Sequence, residues 1–264
     1  MSGTTPKPKR SDADARQVRI AALGDLHYDG SVPGSLVETF ASANRAAEVL
    51  VLCGDLTTHG RADQMRSLID ELKAVDIPIV AVLGNHDHEA GEIDACSAIL
   101  RARGVHLLDG DHVIVEGIGF VGTKGFCGGF GRGALAPFGE PEIKQFVQVA
   151  LNEAIKLENA LRNLAAEVRV VVLHYAPILE TVQGEPEPIL PFLGSSRLLQ
   201  PIETIGADVI FHGHAHQGSL QGKTPAGIPV YNAAQPLLRR NNLAFVSWSA
   251  VAPDRRVREL RPAG

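Results

Sequence analysis

The sequence contains few cysteines, few aromatic residues and no long apolar run, and each shortage excludes a class of protein. The 3 cysteines among 264 residues have neither a disulfide-type nor a zinc-type spacing, so a reduced compartment such as the cytoplasm is expected. No apolar run approaches the length of a membrane span, and the polar opening segment lacks the apolar core of a signal peptide. The net charge of -5 argues against a general nucleic-acid binder. We therefore predict a cytoplasmic protein without a membrane partner and with no strong nucleic-acid signal; the sequence does not give the oligomeric state, and a homo-oligomer stays open.

The remaining composition is that of an ordinary globular chain. Hydrophobic residues make up 45% of the sequence and charged residues 21%. Residues 1–17 are polar throughout and are predicted to form a disordered tail. No repeat, charge block or linker divides the rest, so residues 18–264 are predicted to form a single domain.

The first half of the sequence alternates between apolar runs and helical patterns. Apolar runs at 18–23, 49–53 and 77–83 predict buried strands, and helical spacing predicts helices over 35–47 and 62–75. This order favours parallel strands joined by crossover helices. Further strands are predicted at 105–108, 112–115, 117–121, 168–173 and 208–211, with helices at 92–103, 142–167 and 197–205. The last predicted strands, 230–232, 243–248 and 256–260, are interpreted as a β-meander.

Five of the predicted strands end in side chains that can bind a metal ion. These candidate ligands are Asp25, His27, Asp55, Asn85, His174, His214 and His216. Each motif is weak alone, but the carboxyl ends of strands in an open α/β sheet meet at one edge. Buried carboxylates without a partner would cost several kcal/mol, and a cation compensates for them. The set is too large for one tetrahedral centre, and nitrogen and oxygen ligands without thiolate suit Mn, Fe or Zn. The sequence therefore predicts a pair of divalent or first-row transition metal ions.

In order and spacing, these motifs resemble those of the calcineurin-like metallophosphoesterase superfamily. The matching stretches are Asp25-Leu26-His27, Gly54-Asp55, Gly84-Asn85-His86-Asp87, His174 and Gly213-His214-Ala215-His216. The resemblance implies an α/β fold, an αββα sandwich of two mixed β-sheets flanked by helices. It also implies that one ion is held by Asp25, His27, Asp55 and His216. The other would be held by Asp55 as the bridging ligand, Asn85, His174 and His214.

Two further residues of the third motif are candidate catalytic residues. The resemblance implies that His86 is not a ligand but contacts the leaving-group oxygen, and general acid catalysis of this kind contributes roughly 10²–10⁴-fold. Asp87 either orients an imidazole or is a plain turn or capping residue, and the sequence leaves both interpretations open.

The activity implied by the resemblance is hydrolysis of a phosphoester by in-line attack of a metal-bridging hydroxide. Family members of this size without large insertions include cyclic-nucleotide and other small phosphodiesterases, so a small phosphodiester is the expected substrate. A phosphomonoesterase is the nearest alternative. A non-catalytic binding or scaffold module of the same fold is the alternative from another class.

Candidate substrate contacts lie in two loops. Arg132 is the only cation between Gly125 and Gly139, and we hypothesise that it binds a non-reacting phosphate or carboxylate, so Arg132→Ala should raise KM. Ser195 and Ser196 precede a helix and either hold an anion or cap that helix. Tyr175 beside His174 could stack on a base. The sequence assigns no role to the loop from Ile178 to Gly194.

Overall fold

Two mixed β-sheets form the centre of the computed structural model, which describes residues 15–253. The first sheet contains β1 (Ala15–Leu23), β2 (Val49–Cys53), β3 (Ile79–Val82), β4 (His106–Leu107) and β11 (Val246–Pro253). Its order is β11-β1-β2-β3-β4, and only β11 runs antiparallel to its neighbour.

The second sheet is built from the later part of the chain. It contains β5 (Asp111–Val115), β6 (Ile118–Thr123), β7 (Arg169–Leu173), β8 (Val209–His212), β9 (Gln221–Lys223) and β10 (Pro229–Asn232). Its order is β5-β6-β7-β8-β10-β9, with parallel pairing in the centre and antiparallel pairing at both edges.

Helices flank both sheets. They are α1 (Val37–Ala46), α2 (Ala62–Glu71), α3 (Ile93–Ala102), α4 (Pro141–Asn163), α5 (Ser196–Ile205) and α6 (Gln235–Arg240). Helix α1 packs on β1 and β2, α3 on β4, and α4 on β5 and β6, with α5 against α4. The predicted sandwich of two mixed sheets flanked by helices is therefore confirmed.

The two sheets share one apolar core, which explains the continuous apolar runs in the sequence. Val82 of the first sheet belongs to the same buried cluster as Phe120 and Val172 of the second. Strands covered on both faces need apolar side chains on both, so β2 is buried along its whole length. This shared core supports our proposal of a single domain. Within residues 15–253, no helix is both long enough and apolar enough to cross a membrane.

The two ends of the described chain differ from the sequence-based predictions. Strand β1 begins at Ala15 and pairs with β11, so residues 15–17 are strand rather than tail, and residues 1–14 lie outside the described part. The predicted β-meander is wrong, because β10 pairs with β8 in one sheet and β11 pairs with β1 in the other. An apolar run predicts a strand but not its partner. The predicted strand 256–260 also lies outside the described residues.

Candidate metal centre

The candidate ligands lie at one edge of the sandwich, where strands of both sheets end. Asp25 and His27 follow β1, Asp55 follows β2, and Asn85 follows β3 in the first sheet. His174 follows β7, and His214 and His216 follow β8 in the second sheet. Because the chain turns away from each sheet at this point, the side chains are free to point into the space between the strand ends.

Their possible ligand atoms form overlapping groups in which all atoms lie within 4.8 Å of one another. One group consists of Asp25, Asp55, His174 and His214, and another of Asp25, His27 and His216. The side-chain oxygen of Asn85 lies 2.8 Å from Nε2 of His174 and so adjoins the first group. The structure thus brings all of the predicted ligands together, in nearly the two sets that the resemblance implies.

Both carboxylates contribute to the two sets. Oδ1 of Asp55 lies 3.4 Å from Nε2 of His174, and its Oδ2 lies 3.9 Å from Nε2 of His27. One oxygen therefore faces each set, which is the arrangement that a bridging ligand needs. Asp25 also belongs to both groups, which the sequence did not predict. Its Oδ1 accepts a hydrogen bond from Nε2 of His216 at 3.0 Å, and its carboxylate accepts another from the backbone N–H of His214.

Burial and the contacts between the candidate ligands together determine the charges in this centre. Burial raises the pKa of Asp25, but the hydrogen bond from His216 and the charges of the neighbouring histidines lower it further, to about 2. Burial raises the pKa of Asp55, and the charge of His174 offsets only part of that rise. Burial lowers the pKa of His27 to about 4 and that of His214 to about 3. These two rings are therefore neutral near pH 7, which is the form that binds metals.

The chemistry of the donor set fits metal ions. Asp25 and Asp55 are each 1% exposed, and no lysine or arginine of the described residues forms a salt bridge with either. The Nε2 atoms of His27 and His216 face each other across 3.4 Å. Nδ1 of His174 donates to the backbone carbonyl of Cys53 at 2.9 Å, which leaves the Nε2 lone pair free for a ligand. Carboxylate, amide and imidazole donors without thiolate suit Mn, Fe or Zn.

The backbone is strained at the same positions. Asp25, His27, Asp55 and His214 have φ values of 53°, 44°, 49° and 70°. Within the described residues, Glu116 and Asn242 are the only other non-glycine residues with positive φ. Each such conformation costs about 1–3 kcal/mol and persists where the surrounding structure demands it. The strain is thus concentrated where the candidate ligands must converge.

Two glycines of the motifs leave room for the carboxylates. A Cβ atom at Gly84 would overlap Oδ1 of Asp55, and one at Gly213 would overlap Oδ2 of Asp25. The Gly-Asn and Gly-His pairs in the sequence therefore have a steric reason: the backbone approaches the buried carboxylates more closely than any side chain would allow.

His86 lies beside the first-sheet ligands. Its Nδ1 donates to the backbone carbonyl of Thr58 at 2.7 Å, so its Nε2 is the nitrogen available to a substrate or an ion. The His86 ring centroid is 4.6 Å from that of His27. A possible ligand atom of His86 also lies within 4.8 Å of those of His27 and Asp55. Its role as a non-ligand therefore stays a prediction, which mutagenesis can test.

Asp87 does not orient an imidazole. Its carboxylate is fully buried and accepts hydrogen bonds from the backbone N–H groups of Leu56 at 3.1 Å and of Thr57 and Gly84 at 2.9 Å. The Thr57 hydroxyl donates a further bond to it at 2.9 Å. Asp87 thus joins the loop after β2 to the loop after β3, which favours the turn or capping interpretation over a catalytic one.

Most of the residues predicted to contact the substrate already contact other residues of the protein. Tyr175 is 6% exposed and packs against the His214 ring at 4.5 Å between centroids, so it supports that candidate ligand and leaves little surface for a base. The Ser195 hydroxyl caps α5 by accepting the N–H of Arg197, and the Ser196 hydroxyl accepts the N–H of Gly131. Ser195 therefore caps the helix, whereas Ser196 does not cap α5 and instead ties the glycine-rich loop to the start of that helix. Arg132 is exposed, and its role stays a prediction.

Two residues near the centre were not found from the sequence. Lys124 directly follows β6 and lies just before the loop from Gly125 to Gly139 that contains Arg132. Glu153 of α4 is buried and accepts hydrogen bonds from the Thr123 hydroxyl and the Gly125 N–H, so it fixes the turn that carries Lys124. A lysine directly after a strand was the available sequence signal for the first. Glu153 had no such signal, because in the sequence it resembles any other polar residue of a helix.

Known proteins of similar sequence and structure agree with this architecture. A stretch of 80 residues is 36% identical to a protein of Moraxella catarrhalis (strain BBH18) described as a probable cyclic nucleotide phosphodiesterase. That match covers 27% of this chain and only 29% of the relative's length. The phosphopantetheinyl hydrolase (PptH) of Mycobacterium tuberculosis superposes with a TM-score of 0.62 at 15% identity, covering 92% of this chain and 98% of that one. The protein TT1561 of Thermus thermophilus gives a TM-score of 0.54 at 15% identity, covering 90% and 99%.

The two structural similarities show a shared fold. The family follows from the sequence match, because residues 18–218, most of the chain, match the calcineurin-like phosphoesterase model. That range includes every strand end that carries a candidate ligand. The protein therefore belongs to the calcineurin-like phosphoesterase family.

Proposed function

We propose that the protein hydrolyses a small phosphodiester and that it does so with two divalent or first-row transition metal ions. One ion would be held by Asp25, His27, Asp55 and His216, and the other by Asp55, Asn85, His174 and His214. The observation that carries this proposal is the overlap of the donor groups: Asp25 and Asp55 are buried, each belongs to two groups, and neither has a lysine or arginine partner within the described residues.

The bound ions would lower the pKa of a coordinated water to about 7 and offset the negative charge that develops on the phosphoryl oxygens. The protein supplies the arrangement around them. Burial of Asp25 and Asp55 excludes water from the ligands, and the contact of His174 with Cys53 fixes its ring. Asp87 fixes the loops that carry Asp55 and Asn85.

His86 is the proposed proton donor to the leaving oxygen. Its Nδ1 is occupied by the Thr58 carbonyl at 2.7 Å, and Oε2 of Glu89 lies 3.8 Å from the same nitrogen. Because both oxygens hold the Nδ1 side of the ring, its Nε2 is left to face the substrate. A histidine in this position can hold the proton until the ester bond breaks, and such general acid catalysis is worth roughly 10²–10⁴-fold.

A phosphodiester, of the cyclic-nucleotide type or similar, is the favoured substrate class. The support is the curated relative described as a probable cyclic nucleotide phosphodiesterase, which aligns with 27% of this chain. Fold alone does not select a substrate, because one fold supports many reactions.

Turnover of two chromogenic esters tests the proposal. Bis-p-nitrophenyl phosphate is a diester and p-nitrophenyl phosphate a monoester, and both are assayed with added Mn²⁺ and after chelation. We expect Mn²⁺-dependent hydrolysis with the diester preferred. Preference for the monoester would indicate a phosphomonoesterase, and bound metal without turnover of either ester would indicate a binding or scaffold module. His112→Ala, at an exposed histidine of β5, serves as the control for histidine variants of the centre.

A further inference from the structure

Lys124 lies at the same sheet edge as the candidate metal ligands. It directly follows β6, the neighbour of β7, and β7 is followed by His174. The backbone carbonyl of Lys124 accepts hydrogen bonds from the N–H groups of both His174 and Tyr175 at 3.1 Å. The lysine is therefore one strand away from a proposed metal ligand and is tied to it through the backbone.

The ammonium group of Lys124 is held in place without a carboxylate partner. Its Nζ donates to the Gly125 carbonyl at 3.0 Å and lies 5.1 Å and 5.2 Å from the ring centroids of Phe126 and Tyr175. Both rings attract the cation through their faces. Within the described residues, no salt bridge reaches Lys124; the nearby Glu153 and Asp109 pair with Lys156 instead. An ammonium group has three donors, so capacity for an anion remains.

A cavity of about 470 Å³ adjoins this lysine. Two of its lining residues, Leu83 and His88, stand on either side of the stretch that contains Asn85 and His86, so the cavity is lined by the two ends of that turn. Its volume is within the range of sites for small ligands. Its charged lining residues are Lys124, Arg101, Asp94 and Asp109. Asp109 pairs with Lys156 at 2.9 Å, but Lys156 also pairs with Glu153. The lining therefore carries two cations, Lys124 and Arg101, together with Asp94 and a partly neutralised Asp109.

We infer that Lys124 binds a second anionic group of the substrate, a phosphate or carboxylate that does not react, in the cavity that Lys124 lines together with Leu83 and His88. This inference rests on the proposed function, because it concerns the substrate of the same centre. The substrate is then a phosphodiester that carries a second anionic group, and Lys124 contacts that second group. The rings of Phe126 and Tyr175 and the Gly125 carbonyl hold the ammonium in position before the substrate arrives, so binding the anion does not require ordering a free lysine side chain.

Matched substrates isolate this contact. One series consists of p-nitrophenyl phosphodiesters whose second ester group ends in a carboxylate or a phosphate at increasing distance, and a second series carries the neutral methyl esters. Both series release the same nitrophenol from the same diester. kcat/KM is measured for the wild type, Lys124→Met, Lys124→Arg and the control Lys144→Met, whose lysine is exposed on α4. Metal content is determined for each variant.

The wild type should prefer at least one anionic member by about 10- to 100-fold, the range for a hydrogen bond to a charged group. Lys124→Met should abolish that preference, whereas Lys124→Arg and Lys144→Met should retain it. The carboxylate and phosphate arms show which anion is recognised. An absent preference throughout the series, or one that Lys124→Met leaves unchanged, would overturn the inference.

A binding measurement gives a readout that does not depend on turnover. Calorimetry compares phosphonates that carry a carboxylate, such as 3-phosphonopropionate, with the matching alkyl phosphonates on the metal-loaded protein. Lys124→Met should weaken only the carboxylate-bearing series, by about 10-fold or more. If no diester is hydrolysed, the proposed function fails, and the calorimetry still decides the inference: equal binding by wild type and Lys124→Met would refute it.

Discussion

Replacing Asp87 should loosen the two loops that carry Asp55 and Asn85. The carboxylate of Asp87 accepts the backbone N–H groups of Leu56, Thr57 and Gly84 and the Thr57 hydroxyl. Asp87→Ala removes the acceptor of all four donors in a fully buried place. The predicted consequence is a less stable protein with weaker metal binding, because the two loops would no longer hold Asp55 and Asn85 in fixed positions relative to each other.

The magnitude follows from the number of donors left without a partner. Each buried donor without an acceptor costs about 1–3 kcal/mol. The Thr57 hydroxyl can rotate towards another acceptor, whereas the backbone amides cannot. Counting the amides alone at the low end gives a loss of about 3 kcal/mol for Asp87→Ala. Asp87→Asn retains one acceptor oxygen and should lose about half as much, and Thr57→Val, which removes only the hydroxyl, about 1 kcal/mol.

Urea unfolding of the metal-depleted variants measures these differences, and titration with Mn²⁺ measures the effect on metal binding. Asp76→Ala is the control, because Asp76 is exposed. The expected order of stability is wild type, then Thr57→Val, then Asp87→Asn, then Asp87→Ala. The milder variants preserve the test if Asp87→Ala does not fold. A free energy of unfolding for Asp87→Ala within about 1 kcal/mol of wild type would refute the reasoning.

Three further predictions concern Asp55, His86 and Glu71. Asp55→Ala should lose both ions and all activity, because its oxygens face both donor sets; retention of two ions in metal analysis would contradict this. His86→Ala should keep its metal content yet lower kcat by roughly 10²–10⁴-fold, and loss of metal would show that His86 is a ligand. Burial raises the pKa of Glu71, but hydrogen bonds from Gly34, Leu36 and Tyr28 lower it further, to below its usual value. Ionised Glu71 therefore stabilises the fold above its unfolded pKa of about 4.3, and this contribution is lost as pH falls through the lower folded pKa. The gap in unfolding free energy between wild type and Glu71→Gln should shrink below about pH 4, and a constant gap between about pH 7 and 3 would contradict it.

The candidate ligands could be predicted from the sequence because each one follows a strand. An apolar run that ends in Gly-Asp or Gly-Asn fixes where the chain leaves the sheet, and the carboxyl ends of parallel strands meet. The position of β2 was predicted to the residue for the same reason, since a strand buried on both faces is a continuous apolar run.

The contacts between these segments could not be predicted from the sequence, because they depend on packing between residues that are far apart in the sequence. That Asp25 serves both donor sets depends on β8, which brings the N–H of His214 to its carboxylate. The partners of Asp87 likewise come from a separate loop. The pairing of β11 with β1 is equally non-local, which is why a local pattern suggested a meander. Lys124 was missed because its surroundings, rather than its sequence neighbours, distinguish it.

The metal content of protein purified without chelator and supplied with Mn²⁺ tests the central claim most directly. Elemental analysis against protein concentration should give two ions per chain for the wild type, because the donor groups overlap at Asp25 and Asp55 and offer too many ligands for one ion. A value of one ion or none would contradict the account.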